Sequence, residues 1–158
     1  METKLEVAMI KANTPLLGGL PLYWLLSRNQ LEFILQDITV FKSPPLIATA
    51  QYQEAMLPVL NLEEHFGLPE IAPGSSIKYL VVRAVTAEKA LVKVIIRTPL
   101  ALKMQKLETG YAASRLLSLP RNSNHLLGIY TMPDGGVGLV PDVAGISYSF
   151  KWRGNQPH

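Results

Sequence analysis

The apolar positions of this chain fall into short runs, broken by turn residues about every ten positions, and the runs read as strands. Leu20 to Leu26 is one such run, carrying Tyr23 and Trp24, both good strand formers. The polar stretch Ser27-Arg28-Asn29-Gln30 then reads as a hairpin turn. Leu31, Phe33 and Leu35 alternate with Glu32 and Gln36, a pattern that Ile34 breaks; a helical phase through Leu31, Ile34, Leu35 and Ile38 fits the same residues. Ser43-Pro44-Pro45 ends either element. Ala55 to Leu62 is a further strand candidate, with Pro58 pointing to an edge or a bulge. Asn61 can cap a short helical turn, with Glu64 three residues on, and Gly67 can end it. Residues 1–19 read as a loose arm ending in Gly18-Gly19.

The second half continues in the same way. Gly67 to Ser76 holds Pro69, Pro73 and Gly74 and reads as a loop at a subdomain junction. Ile77 to Val85 and Ala90 to Arg97 are β-branched runs around a hairpin at Thr86-Ala87-Glu88-Lys89. Leu100, Leu102 and Met104 alternate with Ala101, Lys103 and Gln105, a strand with one wet face. Thr109 to Ser123 is less regular, with room for a helical turn around Ala112 to Leu117. Leu126 to Met132 and Val137 to Val140 flank Pro133-Asp134-Gly135-Gly136, the best hairpin signal in the chain. Pro141-Asp142 begins a final short helix, and Lys151 to His158 reads as a disordered tail. Many short strands at this spacing predict an all-β barrel or sandwich.

Composition narrows the class. The chain has 158 residues, 48% hydrophobic and 17% charged, enough for one core without staples. Cysteine is absent, which excludes a disulfide framework, a thiolate metal site and a cysteine nucleophile. Neither a signal peptide nor a spanning segment is visible near the start, and the expected location is cytoplasmic, with no membrane insertion. Residues 1–70 carry a net charge of −4 and residues 71–158 a net charge of +7. That asymmetry suits a polar partner surface, or two halves that attract each other. The basic residues are scattered singly without interleaved aromatics, so nucleic acid is not an expected partner.

Candidate chemistry is sparse. The three histidines, His65, His125 and His158, have no second histidine at helical or hairpin spacing, which argues against a His-based metal site. His65 follows Glu63-Glu64 and reads as part of a solvated turn. No G-x-S-x-G elbow is present. A dispersed triad drawn from Ser75 or Ser123, His65 or His125, and Asp37 or Asp142 is a combination any chain of this size offers. Asp134-Gly135-Gly136-Val137-Gly138 lacks the following Lys-Ser/Thr of a phosphate cradle and reads as a turn. Trp24 reads as core; Trp152 is either a partner anchor or part of the disordered tail. The expectation is a protein with no catalytic site, no metal and no cofactor.

The stretch Met56-Leu57-Pro58-Val59-Leu60-Asn61-Leu62-Glu63-Glu64-His65-Phe66-Gly67-Leu68-Pro69 resembles the CheW family of chemotaxis coupling proteins. That family shows a proline, two aliphatics and Asp or Asn before Leu, then a helical turn ending in Phe-Gly-Leu. Leu22 to Leu35 resembles its opening hairpin, Ile77 to Val85 and Leu91 to Ile96 its next strands. His125-Leu126-Leu127-Gly128-Ile129-Tyr130 resembles its late strand, and Leu139-Val140-Pro141-Asp142-Val143 its closing strand and helix start. The resemblance implies an all-β fold of two small five-stranded SH3-like barrels with a shared hydrophobic seam and short helical turns. It implies an arm at 1–19, a CheW-like domain at 20–148 with intertwined subdomains and a junction loop near 67–76, and a tail at 149–158. It also implies a non-catalytic adaptor without a cofactor. Its partners would be the regulatory domain of a CheA-type histidine kinase and the cytoplasmic tip of a chemoreceptor. Partner contacts fall by resemblance on Gln53, Glu54, Met56, Gly128 and Tyr130.

One departure bears on those contacts. The family carries Gly-Val-Ile-Asn-Leu-Arg-Gly before the proline strand, where this chain has Ala48-Thr49-Ala50-Gln51-Tyr52-Gln53-Glu54. The Arg falls on Gln53, which lacks its charged fork, and the last Gly on Glu54. An altered or weakened receptor contact is the expected consequence. The competing reading is a small β-barrel module with another role, nucleic-acid binding or an unrecognised enzyme. Leu57, Val59, Leu60, Leu62 and Phe66 are expected to serve folding, some at the seam and others in a barrel interior.

Overall fold

The computed structural model describes residues 4–12, 21–36, 38–41, 48–68, 78–98, 102–108, 122–132 and 135–154. Eleven strands form two sheets. β1 (Lys4–Lys11), β2 (Leu22–Ser27), β9 (Leu102–Glu108), β10 (Leu126–Thr131) and β11 (Val137–Pro141) make a five-stranded sheet in the order β10-β11-β2-β1-β9. The other strands are β3 (Leu31–Leu35), β4 (Val40–Phe41), β5 (Thr49–Tyr52), β6 (Ala55–Leu60), β7 (Lys78–Val85) and β8 (Leu91–Thr98). They make a six-stranded sheet in the order β3-β7-β8-β6-β5-β4. Neighbours run antiparallel except β11 with β2 and β6 with β8. Two helices complete the described chain, α1 (Leu62–His65) after β6 and α2 (Val143–Gly154) after β11.

The architecture is the expected all-β one, with two corrections. The sheets have five and six strands, and among the described residues neither closes into a barrel. The sixth strand is β4, only two residues long. β3 and β4, the two ends of that order, are joined by residues 36–39, so the sheet rolls toward itself without pairing its edges. The chain also changes sheets at places other than Gly67–Ser76, because β6 and β7, on either side of that stretch, share a sheet. It crosses first between β2 and β3, through a 3-10 turn at Arg28–Gln30, and returns between β8 and β9. The turn expected at Ser27-Arg28-Asn29-Gln30 is therefore a crossover rather than a hairpin. Ser27 and Gln30 fix it by reciprocal capping: the Ser27 hydroxyl accepts from the chain and the Gln30 side chain accepts from Ser27 N.

Packing divides into three layers. The seam between the sheets takes Ala8 and Ile10 from β1, Leu22, Trp24 and Leu26 from β2, and Leu80, Val82, Val94 and Ile96 from β7 and β8. Ala12, Leu60, Leu62, Phe66, Ala84, Leu139, Val143 and Ile146 complete it. Val7, Leu25 and Met132 form a second cluster on the opposite face of the five-stranded sheet. Ala50, Leu57, Val81 and Ile95 form a third inside the rolled six-stranded sheet, with Leu35, Tyr52, Val59 and Tyr79 against it. Leu57 and Val59 thus lie in a sheet interior, while Leu60, Leu62 and Phe66 lie in the seam, as the sequence reading anticipated.

Residues 1–19 are not a loose arm where they are described: β1 lies between β2 and β9 and is buried on both faces. The ambiguity at Leu31–Ile38 resolves to a strand, and a register shift between Leu31 and Phe33 explains why Ile34 breaks the alternation. α1 is capped as expected, with Glu64 N donating to the Asn61 side chain at 3.2 Å and Gly67 following at φ 75°. The hairpin between β10 and β11 forms, with Thr131 opposite Val137. Gly138 fits closely there: a Cβ would stand 2.6 Å from Leu25 Cδ1 and 2.7 Å from Met132 Sδ, so both side chains would have to shift. The final helix runs twelve residues and takes in Lys151 to Gly154, part of the expected disordered tail. The helical turn expected near Ala112–Leu117 lies outside the described residues.

Candidate partner-binding surface

Gln53 and Glu54 are the two loop residues of the β5–β6 hairpin, between the paired Tyr52 and Ala55. Both are exposed. The left-handed residue is Gln53, at φ 55°, so the conformational demand sits there and not at Glu54, where the family pattern places glycine. The β7–β8 hairpin has a similar tip. Lys89 holds φ 62°, and Ala90 N donates to the Thr86 hydroxyl while Thr86 N donates to Ala90 O. β6 and β8 run parallel, with Val59 beside Ile95. Running both strands back to their starts, Ala55 and Leu91, brings the two hairpin tips to the same end of the six-stranded sheet.

A polar cluster ties that end together. Lys93 Nζ on β8 lies 3.0 and 3.2 Å from the two carboxylate oxygens of Glu32 on β3. The Tyr52 hydroxyl on β5 donates to the same carboxylate. The Lys93 hydrogen bond holds Glu32 below the usual carboxylate range, against burial, with Tyr52 helping. Tyr52 is pushed up, by burial first and by its bond to Glu32 second. Arg83 Nε donates to Asn29 O at 2.9 Å and joins β7 to the crossover turn. Two cations, Arg83 and Lys93, thus stand at the end of the sheet where Gln53 carries no charge.

Around this cluster the surface is apolar. Phe33, Met56, Val85 and Leu91 are 55, 53, 62 and 59% exposed. Val85 and Leu91 are direct cross-strand partners. The β7–β8 hairpin projects past β3, which reaches only Val82. Met56, Val85 and Leu91 are grouped at this end, whereas Phe33, opposite Val81, lies mid-sheet next to Glu32; large exposed apolar side chains grouped in this way suit contact with another protein.

Gln53, Glu54 and Met56 therefore share this end. Gly128 and Tyr130 do not: they lie on β10, in the other sheet. Tyr130 packs against the cluster of Val7, Leu25 and Met132, and a Cβ on Gly128 would stand 3.3 Å from the Tyr130 ring. Both are half-buried. Val85 and Leu91 escaped sequence reasoning because an exposed hairpin tip and a buried strand end both read as β-branched or aliphatic; their place beyond the last pairing shows only in the register.

The fold also joins His65 and His125, which sequence spacing kept apart. His65 Nε2 lies 2.9 Å from His125 Nδ1. Among the described residues no group of three or more His, Cys, Asp or Glu side chains is placed to hold a metal, and no catalytic constellation is assembled. Trp24 is buried, as expected, stacked on Phe66 at 5.3 Å with its indole N–H donating to Glu63. No described helix is long and apolar enough to cross a membrane.

No family model matches the chain. No curated protein matches it by sequence. Among solved structures it is similar to the crystal structure of scaffolding protein TtCheW from Thermoanaerobacter tengcongensis. The TM-score is 0.67 over 88% of this chain and 89% of that chain, at 10% sequence identity. The match is distant and structural, to a scaffold protein of the CheW family, and it covers nearly the whole of both chains.

Proposed function

We propose that this protein is a non-catalytic cytoplasmic scaffold that couples a CheA-type histidine kinase to chemoreceptor-type sensors. The observation that carries the reading is the shared two-sheet fold with a scaffolding protein along nearly the full length of both chains. The exposed apolar end of the six-stranded sheet supports it, because a scaffold needs a protein-binding surface and no chemistry. That end, with Val85, Leu91 and Met56, takes the regulatory domain of the kinase. The receptor tip binds weakly, because Gln53 and Glu54 stand where the family has Arg and Gly, a swing of two charge units at adjacent positions.

The test is a titration against a kinase regulatory domain and a receptor cytoplasmic fragment at two salt concentrations, for the native protein and for Gln53→Arg with Glu54→Gly. The expected outcome is kinase binding by both proteins and stronger receptor binding by the variant. Failure of either protein to bind the kinase domain contradicts the scaffold role. Equal receptor binding by both contradicts the part given to the hairpin.

A further inference from the structure

The contact between His65 and His125 joins an element of one sheet to an element of the other. His65 is the last residue of α1, which follows β6; His125 ends the 3-10 turn Ser123–His125 that leads into β10. The two rings are nearly parallel, at 10°, with centroids 5.1 Å apart. That separation is close to the 2.9 Å between the nitrogens plus one ring radius at each end. The rings therefore meet edge to edge, in an N–H···N hydrogen bond, and not face to face. Two further bonds hold the same place. The Asn122 amide donates to His65 O at 2.8 Å, from a left-handed backbone that Asn tolerates, and Asp142 N donates to His125 O at 2.7 Å. Both imidazoles are half-buried, and the Phe66 ring closes one side of His65 at 4.9 Å.

We propose that the His65–His125 pair is a pH-sensitive latch across the edge of the seam. An N–H···N bond holds one hydrogen between two nitrogens, so one of them must offer a lone pair. When both rings are imidazolium, each facing nitrogen carries a hydrogen, no acceptor remains, and two positive charges face each other at contact distance. The closed latch accordingly binds at most one of the two protons that an open pair takes up. Wherever the open state binds more protons, acid favours it. Among the described side chains the charged groups on the elements packed here are Glu63 and Glu64 on α1 and Asp142 ahead of α2, and α2 also carries Lys151 and Arg153 near its far end. The Asp142 carboxylate accepts from Gly145 N and the Glu63 carboxylate from the Trp24 indole, so both have donors of their own. Release of the latch frees the start of β10 from α1 while the apolar seam beneath stays closed.

The experiment is amide hydrogen exchange of the full chain at pH 7.5 and 5.0, corrected for the intrinsic rate, compared with His125→Gln. The pH window lies above the ordinary carboxylate range of about 4 and spans imidazole titration. The expected result is at least a tenfold rise in opening of the amides at Leu126 to Gly128 in the native protein at pH 5.0, with no such rise in the variant. Ring-nitrogen NMR of the native protein covers the case in which the variant does not fold. At pH 7.5 it should show one shared hydrogen between Nε2 of His65 and Nδ1 of His125, and at pH 5.0 two doubly protonated rings accompanied by the amide opening. Two doubly protonated rings with undiminished amide protection would overturn the latch, as would the same pH response in native protein and variant.

Discussion

Gln53 and Lys89 each hold a positive φ, at 55° and 62°, at the tips of the two hairpins that bound the candidate surface. The left-handed region costs an L-residue roughly 1–2 kcal/mol, which glycine avoids. Gln53→Gly is therefore expected to raise stability by a net of about 0.5–1 kcal/mol, read as a higher Tm, once the entropy of the unfolded glycine is counted. A fall in Tm would mean that the Gln53 side chain contributes more than its backbone costs. Glu32 sets a second expectation. Its carboxyl is held low, chiefly by Lys93, so the stability it adds is present above the unfolded value of about 4.3 and is lost as pH falls through the folded one. Tyr52 is held high, so its part is present below about 10 and is lost as pH rises through its folded value. Thermal melts from pH 7 down to pH 3 should show a larger loss of Tm for the native protein than for Glu32→Gln. Parallel curves would remove Glu32 from the account of acid stability.

At the scale of elements, the seam decides the fold, and its strands show why alternation is a poor guide to this chain. Trp24-Leu25-Leu26, Leu80-Val81-Val82 and Val94-Ile95-Ile96 are each buried without a break. Odd and even residues face different clusters, so each run reads as continuous. The existence of these strands was legible from β-branched and aromatic runs between turn residues. So were the cap at Asn61 and the hairpins around Thr86–Lys89 and Pro133–Gly136. The crossing of the chain between sheets was not legible, because a capped 3-10 turn and a hairpin turn draw on the same polar residues at Ser27–Gln30. β1 escaped notice because charges at Lys4, Glu6 and Lys11 frame only four apolar residues, Val7 to Ile10. Phe66 is the sharpest probe of the seam: it is fully buried, stacked on Trp24 and edged by His65. Phe66→Ala should cost about 3–5 kcal/mol in denaturant unfolding. Unchanged stability with lost partner binding would make Phe66 an interface residue instead.

For the whole molecule, the fold separates the five expected contact residues between the two sheets. Resemblance in the stretch from Ala48 to Pro69 led to Gln53, Glu54 and Met56, which the fold keeps together on one hairpin. It also suggested Gly128 and Tyr130, which lie half-buried on β10 in the other sheet. Val85 and Leu91 needed the register of β7, β8 and β3, a tertiary fact. The same holds for His65 and His125, sixty residues apart in the chain and bonded across the seam. The account as a whole rests on the exposed end of the six-stranded sheet being a protein-binding surface. Its most direct test is calorimetric titration of a CheA-type regulatory domain into the native protein and into Leu91→Asp. Leu91 is exposed, so the variant should keep the native Tm, its stability changing by no more than about 0.5 kcal/mol. The account predicts saturable binding to the native protein and at least a tenfold weaker affinity for the variant. No saturable binding by the native protein, or equal affinity for both, would contradict it.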